Sequence, residues 1–240
     1  MTNSYSQDWF DLFTSSIQPS KTAHEVAFVA RQLPQPHYHV LLDLACGTGR
    51  HARLLAEQGY QVLGIDRNPQ ALTAAQVHSL GNLRFLRHDM RDLAELPGHF
   101  DGIICLWQSF GYFDASTNEA ILRNISHKLI AGGRCILDLY HHDFFVHHQG
   151  KRELEMGGKS IIEEKQMQGD RLIVELSYGS MGGDRFEWQL YRPQDLCALA
   201  EACGLRCTLI CSDFDEALAA SPQLPRVQYV LEKAYDGDGG

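Results

Sequence analysis

Short apolar runs that end in a carboxylate recur along the first half of the chain. Val40-Leu41-Leu42 leads into Asp43, the run from Gln61 to Ile65 ends in Asp66, and Leu83 to Leu86 is followed by His88-Asp89. Phe100 to Leu106 and Cys135 to Tyr140 are two further runs, the former apolar but for Asp101, as suits a strand covered on both faces. Helical periods lie between them. Thr22 to Leu33 carries Val26, Val29 and Ala30 on one side and stops at Pro34 and Pro36. Arg50 to Gln58 follows a glycine turn and is stopped by Gly59. Asn68-Pro69 supplies a cap and a first helical residue. Ser116, with Glu119 three residues on, predicts a capping box for a helix with the stripe Ile121, Leu122, Ile125 and Leu129, ended by Gly132-Gly133. Such alternation predicts right-handed crossovers.

Beyond Lys151 the period changes. Ser160 to Met167, Arg171 to Tyr178 and Arg185 to Tyr191, separated by glycines, predict an antiparallel meander. Pro193 to Cys203 returns as a helix, and Leu205 to Ser212 and Arg226 to Glu232 are two more strands. The predicted fold is α/β: a doubly wound, seven-stranded, mostly parallel, Rossmann-like sheet with an antiparallel β-meander insertion. Its parts are an N-terminal lid or helix (1–36), a core (37–150), the insertion (151–191), the rest of the core (192–235) and a disordered tail (236–240).

Composition narrows the partners. Of 240 residues, 44% are apolar and 21% charged, enough for one well-packed domain. The formal net charge of −9 argues against a nucleic-acid backbone as partner. No run reaches the roughly 20 apolar residues of a membrane span, and Met1 to Asp8 lacks a signal-peptide pattern, so a cytoplasmic location is expected. The seven cysteines form no C-x-x-C pair and are read as reduced, small apolar residues; no metal site is expected.

The chemistry concentrates in Leu42-Asp43-Leu44-Ala45-Cys46-Gly47-Thr48-Gly49 and in Asp66, seventeen positions further on. A side chain at Gly47 or Gly49 would hold a ligand off the backbone, and such turns often need positive φ. A carboxylate at Asp66 can accept from two ribose hydroxyls. This is also the loose fingerprint of a nicotinamide dehydrogenase. Asp43 points elsewhere, because a carboxylate before the turn suits an ammonium group better than a pyrophosphate. Asp89-Met90 offers an acceptor for an exocyclic amine and an apolar cover for a purine.

These residues, with Trp9-Phe10-Asp11, His88 to Asp92, Ser109 to Phe113, Gly132-Gly133 and Arg192-Pro193, resemble the class I S-adenosylmethionine-dependent methyltransferases, most closely the small-molecule (type 11/25-like) branch. Ala45 stands where many members have a glycine. The resemblance implies S-adenosyl-L-methionine as cofactor, with S-adenosyl-L-homocysteine as product. It implies Asp43 near the methionine ammonium and Ala45, Cys46, Gly47 and Gly49 along the methionine and ribose. Asp66 would take the ribose hydroxyls and Asp89 the adenine amine, Arg67 and Met90 would pack the base, and Leu106 and Trp107 would border the methionine.

For the acceptor, Tyr5, Trp9, Phe10, Trp107, Phe110 and Tyr112 are candidate aromatic walls, which favour a cationic donor. His141, expected at a strand end facing the methyl group, is the candidate general base, and Tyr112 the second. A small-molecule acceptor is expected, methylated at N, O or C, by a monomer or homodimer. The alternatives are an NAD(P)-dependent oxidoreductase, a tRNA or protein methyltransferase, and a non-catalytic nucleotide-binding protein. No D/N-P-P-Y/F motif follows the fourth strand, where Trp107-Gln108-Ser109-Phe110 stands. The insertion is expected to roof the acceptor pocket or to form a dimer contact.

Overall fold

The computed structural model describes residues 6–9, 12, 17–77, 80–156 and 158–235. The expectations for Tyr5, Phe10 and the 236–240 tail fall outside them. Val40–Leu44 (β1) is the strand from which the sheet is built outward. It pairs in parallel with Gln61–Asp66 (β2) on one side and Phe100–Cys105 (β4) on the other. Leu83–Arg87 (β3) flanks β2, and Leu129–Tyr140 (β5) flanks β4, both in parallel. Arg226–Lys233 (β12) then adds antiparallel to β5, followed by Leu205–Ser212 (β10) and Asp215–Ala219 (β11). The order is β11-β10-β12-β5-β4-β1-β2-β3. All seven expected strands are there; β11 is an eighth, folded back from β10 at the edge.

Strand alternation divides the core between the sheet's two faces. Leu42, Leu44, Ile65 and Ile103 pack on one side with Ile121, Leu122 and Ile125 of Ala115–Lys128 (α4). Leu41, Val62 and Ile104 pack on the other, with Val26 and Val29 of Pro19–Gln32 (α1) and Ala52 and Leu55 of Arg50–Glu57 (α2). Asp43 shares the face of Leu41, so it projects toward α2. Asn68 caps Pro69–Gln76 (α3) as expected, accepting from Gln70 N and Ala71 N at 2.9 and 3.2 Å. The cap of α4 differs from the expectation. Asp114, not Ser116, accepts from Thr117 N at 2.8 Å, and Glu119 instead pairs with Arg123 one turn on. Gly132 and Gly133 lie inside β5 rather than ending α4.

The insertion forms a second sheet of four antiparallel strands, Gly150–Met156 (β6), Lys159–Gln168 (β7), Arg171–Ser177 (β8) and Gly183–Gln189 (β9). β6 is one strand more than the pattern predicts. Two short elements join the sheets: His142–His147 (α5) after β5, and Pro193–Ala202 (α6) after β9. His142 fastens the junction. Its Nδ1 lies 2.8 Å from Asp143 Oδ1 and its Nε2 2.9 Å from Asp170 Oδ1, while Arg192 reaches both carboxylates at 3.4 and 3.6 Å. Among the described residues, no helix is long and apolar enough to cross a membrane.

Candidate active site

A cavity of about 1340 Å³ lies at the carboxyl edge of β1 to β4, and residues of the second sheet line its far side. Asp43, Ala45, Cys46 and Gly47 line it, as do Asp66, Arg67, Asp89, Met90, Leu106, Trp107 and Tyr112. Gly49 does not, and its glycine has a different reason from the expected one. A Cβ there would stand 2.5 Å from Phe85 Cζ, so the residue is small because an aromatic ring of β3 supports the loop from below. At Gly47, φ is +54° and a Cβ would meet nothing within 4 Å, which leaves its backbone open on the ligand side. Ala45 holds φ at 60°, a left-handed value that L-residues adopt at some expense.

The first half of the cavity is acidic at the strand tips and cationic behind them. Asp43 is 2% exposed, and burial lifts its pKa to about 7 against the opposing pull of Arg50. Its Oδ2 and Arg50 Nη2 are both buried without a hydrogen-bond partner. Arg50 is held from the other side by Glu25 of α1, where three donors meet: Arg50 Nη1 at 2.5 Å, His51 Nε2 at 2.8 Å and Trp107 Nε1 at 2.7 Å. Burial works to raise the Glu25 pKa, but His51 and Arg50 overcome it and hold the group at about 2. Burial lowers the His51 pKa, so near neutral pH this imidazole is an uncharged donor.

Asp66 is half-committed to its own loop. Its Oδ2 accepts from Gly47 N and its Oδ1 from Asn68 N, both at 2.8 Å, which orients the carboxylate and leaves further lone pairs for a ligand. Burial raises its pKa, with the two backbone N–H groups opposing. Asp89 is both a cap and an ion-pair member. It accepts from Arg91 N at 2.9 Å and from Arg91 Nε and Nη2 at 3.0 and 2.7 Å, and the Arg91 side chain lowers its pKa.

Trp107 is placed by an unusual turn. It and Gln108 follow β4 with φ of 60° and 59°. Asp138, fully buried in β5, secures that turn by accepting from Trp107 N at 2.9 Å. Arg226 chelates the same carboxylate through Nε at 2.9 Å and through Nη2, and Gln228 adds a bond at 2.8 Å. The guanidinium carbons of Arg50 and Arg226 then lie 4.4 and 5.6 Å from the centroid of the Trp107 ring. Sequence reasoning missed Glu25, Arg50, Asp138 and Arg226. Arg50 stands one residue beyond the glycine loop, where the pattern could have flagged it.

The second half of the cavity is aromatic and apolar. Trp9, Tyr112, Tyr140, Phe186 and Trp188 line it with Met156, Val174 and Leu176, and Glu163 and Lys165 are its charged members. Ser6 and Trp9 dock against the second sheet, Ser6 Oγ donating to Asp184 at 2.6 Å and the Trp9 ring meeting Phe186 edge-on at 6.4 Å. Burial pushes the Tyr112 hydroxyl pKa far up, and Tyr140 is raised for the same reason. The buried Trp188 Nε1 opposes that rise at Tyr112.

His141 is not brought into the cavity. Tyr140 faces it, and strand alternation turns the next residue away. The His141 ring is 3% exposed, its Nδ1 is buried without a partner, and its peptide N donates to Pro225 O at 3.0 Å. Burial also lowers its pKa. The residue caps α5 instead of meeting a substrate. Among the described residues, no group of three or more His, Cys, Asp and Glu side chains is placed to hold a metal ion.

Three acidic residues at adjacent strand tips gather around a glycine turn beside the central strand, on the carboxyl edge of an open parallel sheet where ligands commonly bind. The methyltransferase domain family matches residues 41–133. An uncharacterised methyltransferase of Schizosaccharomyces pombe is 36% identical over 102 residues, covering 40% of this chain and 70% of that protein. Glycine N-methyltransferase of Homo sapiens is 31% identical over 147 residues, covering 53% of this chain and 49% of its own length. The chain thus spans about half the length of the glycine N-methyltransferases that it matches. A solved S-adenosylmethionine-dependent methyltransferase from Clostridium acetobutylicum shares the fold with a TM-score of 0.78 at 18% identity, over 95% of this chain and 96% of that one. The chain belongs to the S-adenosylmethionine-dependent methyltransferases of class I. That membership decides between the two readings of the glycine loop, against the nicotinamide dehydrogenase.

Proposed function

We propose that this protein methylates a nitrogen atom of a small-molecule amine, with S-adenosylmethionine as donor. One observation carries the proposal: Asp43 Oδ2 and Arg50 Nη2, buried, oppositely charged and unpartnered, line one end of a cavity whose other end is walled by aromatic side chains. The amino-acid end of S-adenosylmethionine fits both atoms, its ammonium toward Asp43 and its carboxylate toward Arg50. Asp66 would hold the ribose hydroxyls through charge-assisted hydrogen bonds. Asp89, Arg67 and Met90 would hold the base, with Ala45, Cys46 and Gly47 along the loop and Leu106 and Trp107 at the methionine.

When bound, the cofactor supplies an electrophilic methyl group on a sulfonium. The protein aligns the acceptor and keeps water out, an effect worth about 7–11 kcal/mol in well-oriented systems. The choice of nitrogen follows from the titratable groups around the acceptor half. Tyr112 and Tyr140 are pushed toward their protonated forms, and Glu163 is held low by Arg152 and Lys165 despite its burial. With His141 turned away, none of these groups is a base matched to a hydroxyl proton. A neutral amine needs none, because its lone pair is already free.

A small acceptor also suits a cavity between two sheets on a chain of net charge −9, better than tRNA or a protein does. The 151–191 insertion then serves as acceptor roof, and we place the enzyme in the cytoplasm as a monomer or homodimer. The test is transfer of isotope-labelled methyl to a panel of paired small molecules that differ only in bearing an amine or a hydroxyl. Label should appear on amines, at least ten times faster than on the matched alcohols (about 1.4 kcal/mol in barrier). Transfer to alcohols at equal or higher rates would refute the assignment to nitrogen.

A further inference from the structure

The inner face of the second sheet is mostly apolar, with Glu163 and Lys165 near its middle and Arg152 and Asp184 on its two edge strands. Leu176 stands opposite Glu163 and Val174 opposite Lys165, and Phe186 and Trp188 continue the same face on β9. Glu163 and Lys165, two residues apart on β7, therefore point the same way, and both line the cavity. Glu163 is 8% exposed, and its Oε2 accepts from both Lys165 Nζ, at 2.6 Å, and Arg152 Nε. Its Oε1 accepts from no described residue. An ammonium has three donors, and Lys165 Nζ spends one of them on Glu163. Arg152 is 59% exposed in solvent and is not part of the lining.

A buried ion pair gives little stability over apolar residues of the same size, so a sheet cross-link alone does not account for this one. Toward the cavity it offers an acceptor oxygen beside a donor nitrogen. A carboxylate on the substrate would meet the charge of Glu163, and a second ammonium would meet Lys165. Hydroxyl groups meet neither obstacle, since one donates to Glu163 Oε1 and its neighbour accepts from Lys165 Nζ. The rings of Tyr140, Phe186 and Trp188 give flat apolar walls for the carbon skeleton between them.

We propose that Glu163 and Lys165 read a pair of adjacent hydroxyl groups on the acceptor, whose amine is thus carried on a polyhydroxylated, carbohydrate-like ring. The inference rests on the N-methyltransferase reading above and names the substrate class for the same site. The experiment compares methyl glycosides of 2-, 3- and 4-amino-deoxyglucose with cyclohexylamine and glycine, by saturation-transfer NMR for binding and labelled methyl transfer for turnover. At least one aminohexose should bind and react with a KM about ten- to a hundredfold below that of cyclohexylamine. Glu163→Gln and Lys165→Met should each raise that KM by a similar factor, change kcat less, and remove the preference over cyclohexylamine. Calorimetry with S-adenosylhomocysteine should match the wild type in both variants, which shows that the fold and the cofactor half are intact, while each variant unfolds at a lower temperature because the buried partner charge loses its ion pair. If wild-type protein treats cyclohexylamine or glycine as well as every aminohexose, or fails to respond to any of them, the hydroxyl-reading proposal is overturned. Retention of the preference in both variants overturns it too. Failure of the wild type to bind S-adenosylhomocysteine would instead strike at the methyltransferase reading beneath it.

Discussion

Asp43 joins two opposing demands in one side chain. It is buried at the tip of the central strand, where burial lifts its pKa to about 7, yet a cofactor ammonium is met best by the ionised form. The sign of the linkage follows. In the protein without ligand the raised pKa means that the folded state holds the proton more tightly than the unfolded chain. This group therefore lowers stability as pH rises from about 4 through 7. Ligand binding runs the other way, since an ammonium partner favours the carboxylate and expels the proton. The affinity for S-adenosylhomocysteine should weaken about tenfold per pH unit below 7 and level off above it. Calorimetry from pH 5.5 to 8.5 measures this, and Asp43→Asn should bind weakly with a flat profile. A wild-type affinity constant across that range would remove Asp43 from the ammonium site. Asp43 and Asp66 stood out in the sequence because each directly follows an apolar run, and Asp89 because it comes three residues after Leu86. Their partners were not. Glu25 lies within an ordinary amphipathic helix, and nothing local tells it from a solvated glutamate. His141 misled for the converse reason: position after a strand is visible in sequence, but the face to which a residue turns depends on strand register.

The elements of the site are held by buried carboxylates acting across the fold. Glu25 of α1 ties α2 through Arg50 and His51 and the turn after β4 through Trp107. Replacing Glu25 by alanine leaves those buried donors without an acceptor, and breaking such a network costs about 3–5 kcal/mol. Urea unfolding of Glu25→Ala at pH 7 should show a loss of that order. Because the folded-state pKa of Glu25 is depressed to about 2, its contribution is fully present above about pH 4.5 and fades as pH falls toward 2. The gap between variant and wild type should close over that range, and a gap unchanged with pH would show that the loss arises elsewhere. Element boundaries were readable where local chemistry decides them, as at Asn68-Pro69. They were not readable where an alternative was chemically equal. Asp114 and Ser116 are both good caps, and the structure uses the first, with Ser116 Oγ donating to it at 2.8 Å. The β10–β11 hairpin turns on Asp213 and Phe214 at φ of 53° and 56°. That conformation normally announces itself by Asn-Gly, and no such signal is present. β6 escaped notice because its charged, mostly exposed residues give no alternation to read.

At the scale of the whole molecule, two sheets of different construction enclose one cavity. The parallel sheet offers strand tips and loop backbone, which we propose hold the cofactor, and the antiparallel sheet offers an aromatic face, which we propose selects the acceptor. The periodicity change near residue 150 made this division visible in the sequence, whereas the joint between the sheets was not. His142 sits in a histidine run that suggests metal or base chemistry, yet its two ring nitrogens are used against Asp143 and Asp170 to fasten one sheet to the other. The claim on which the rest depends is that the strand-tip half of the cavity holds the adenosyl amino acid. Isothermal titration of the purified full chain with S-adenosylhomocysteine at pH 8 tests it most directly. The expected result is saturable binding with one ligand per chain, weakened at least tenfold (about 1.4 kcal/mol) by Arg50→Met. Absence of binding by wild-type protein, or an affinity untouched by removal of the Arg50 guanidinium, would contradict the account.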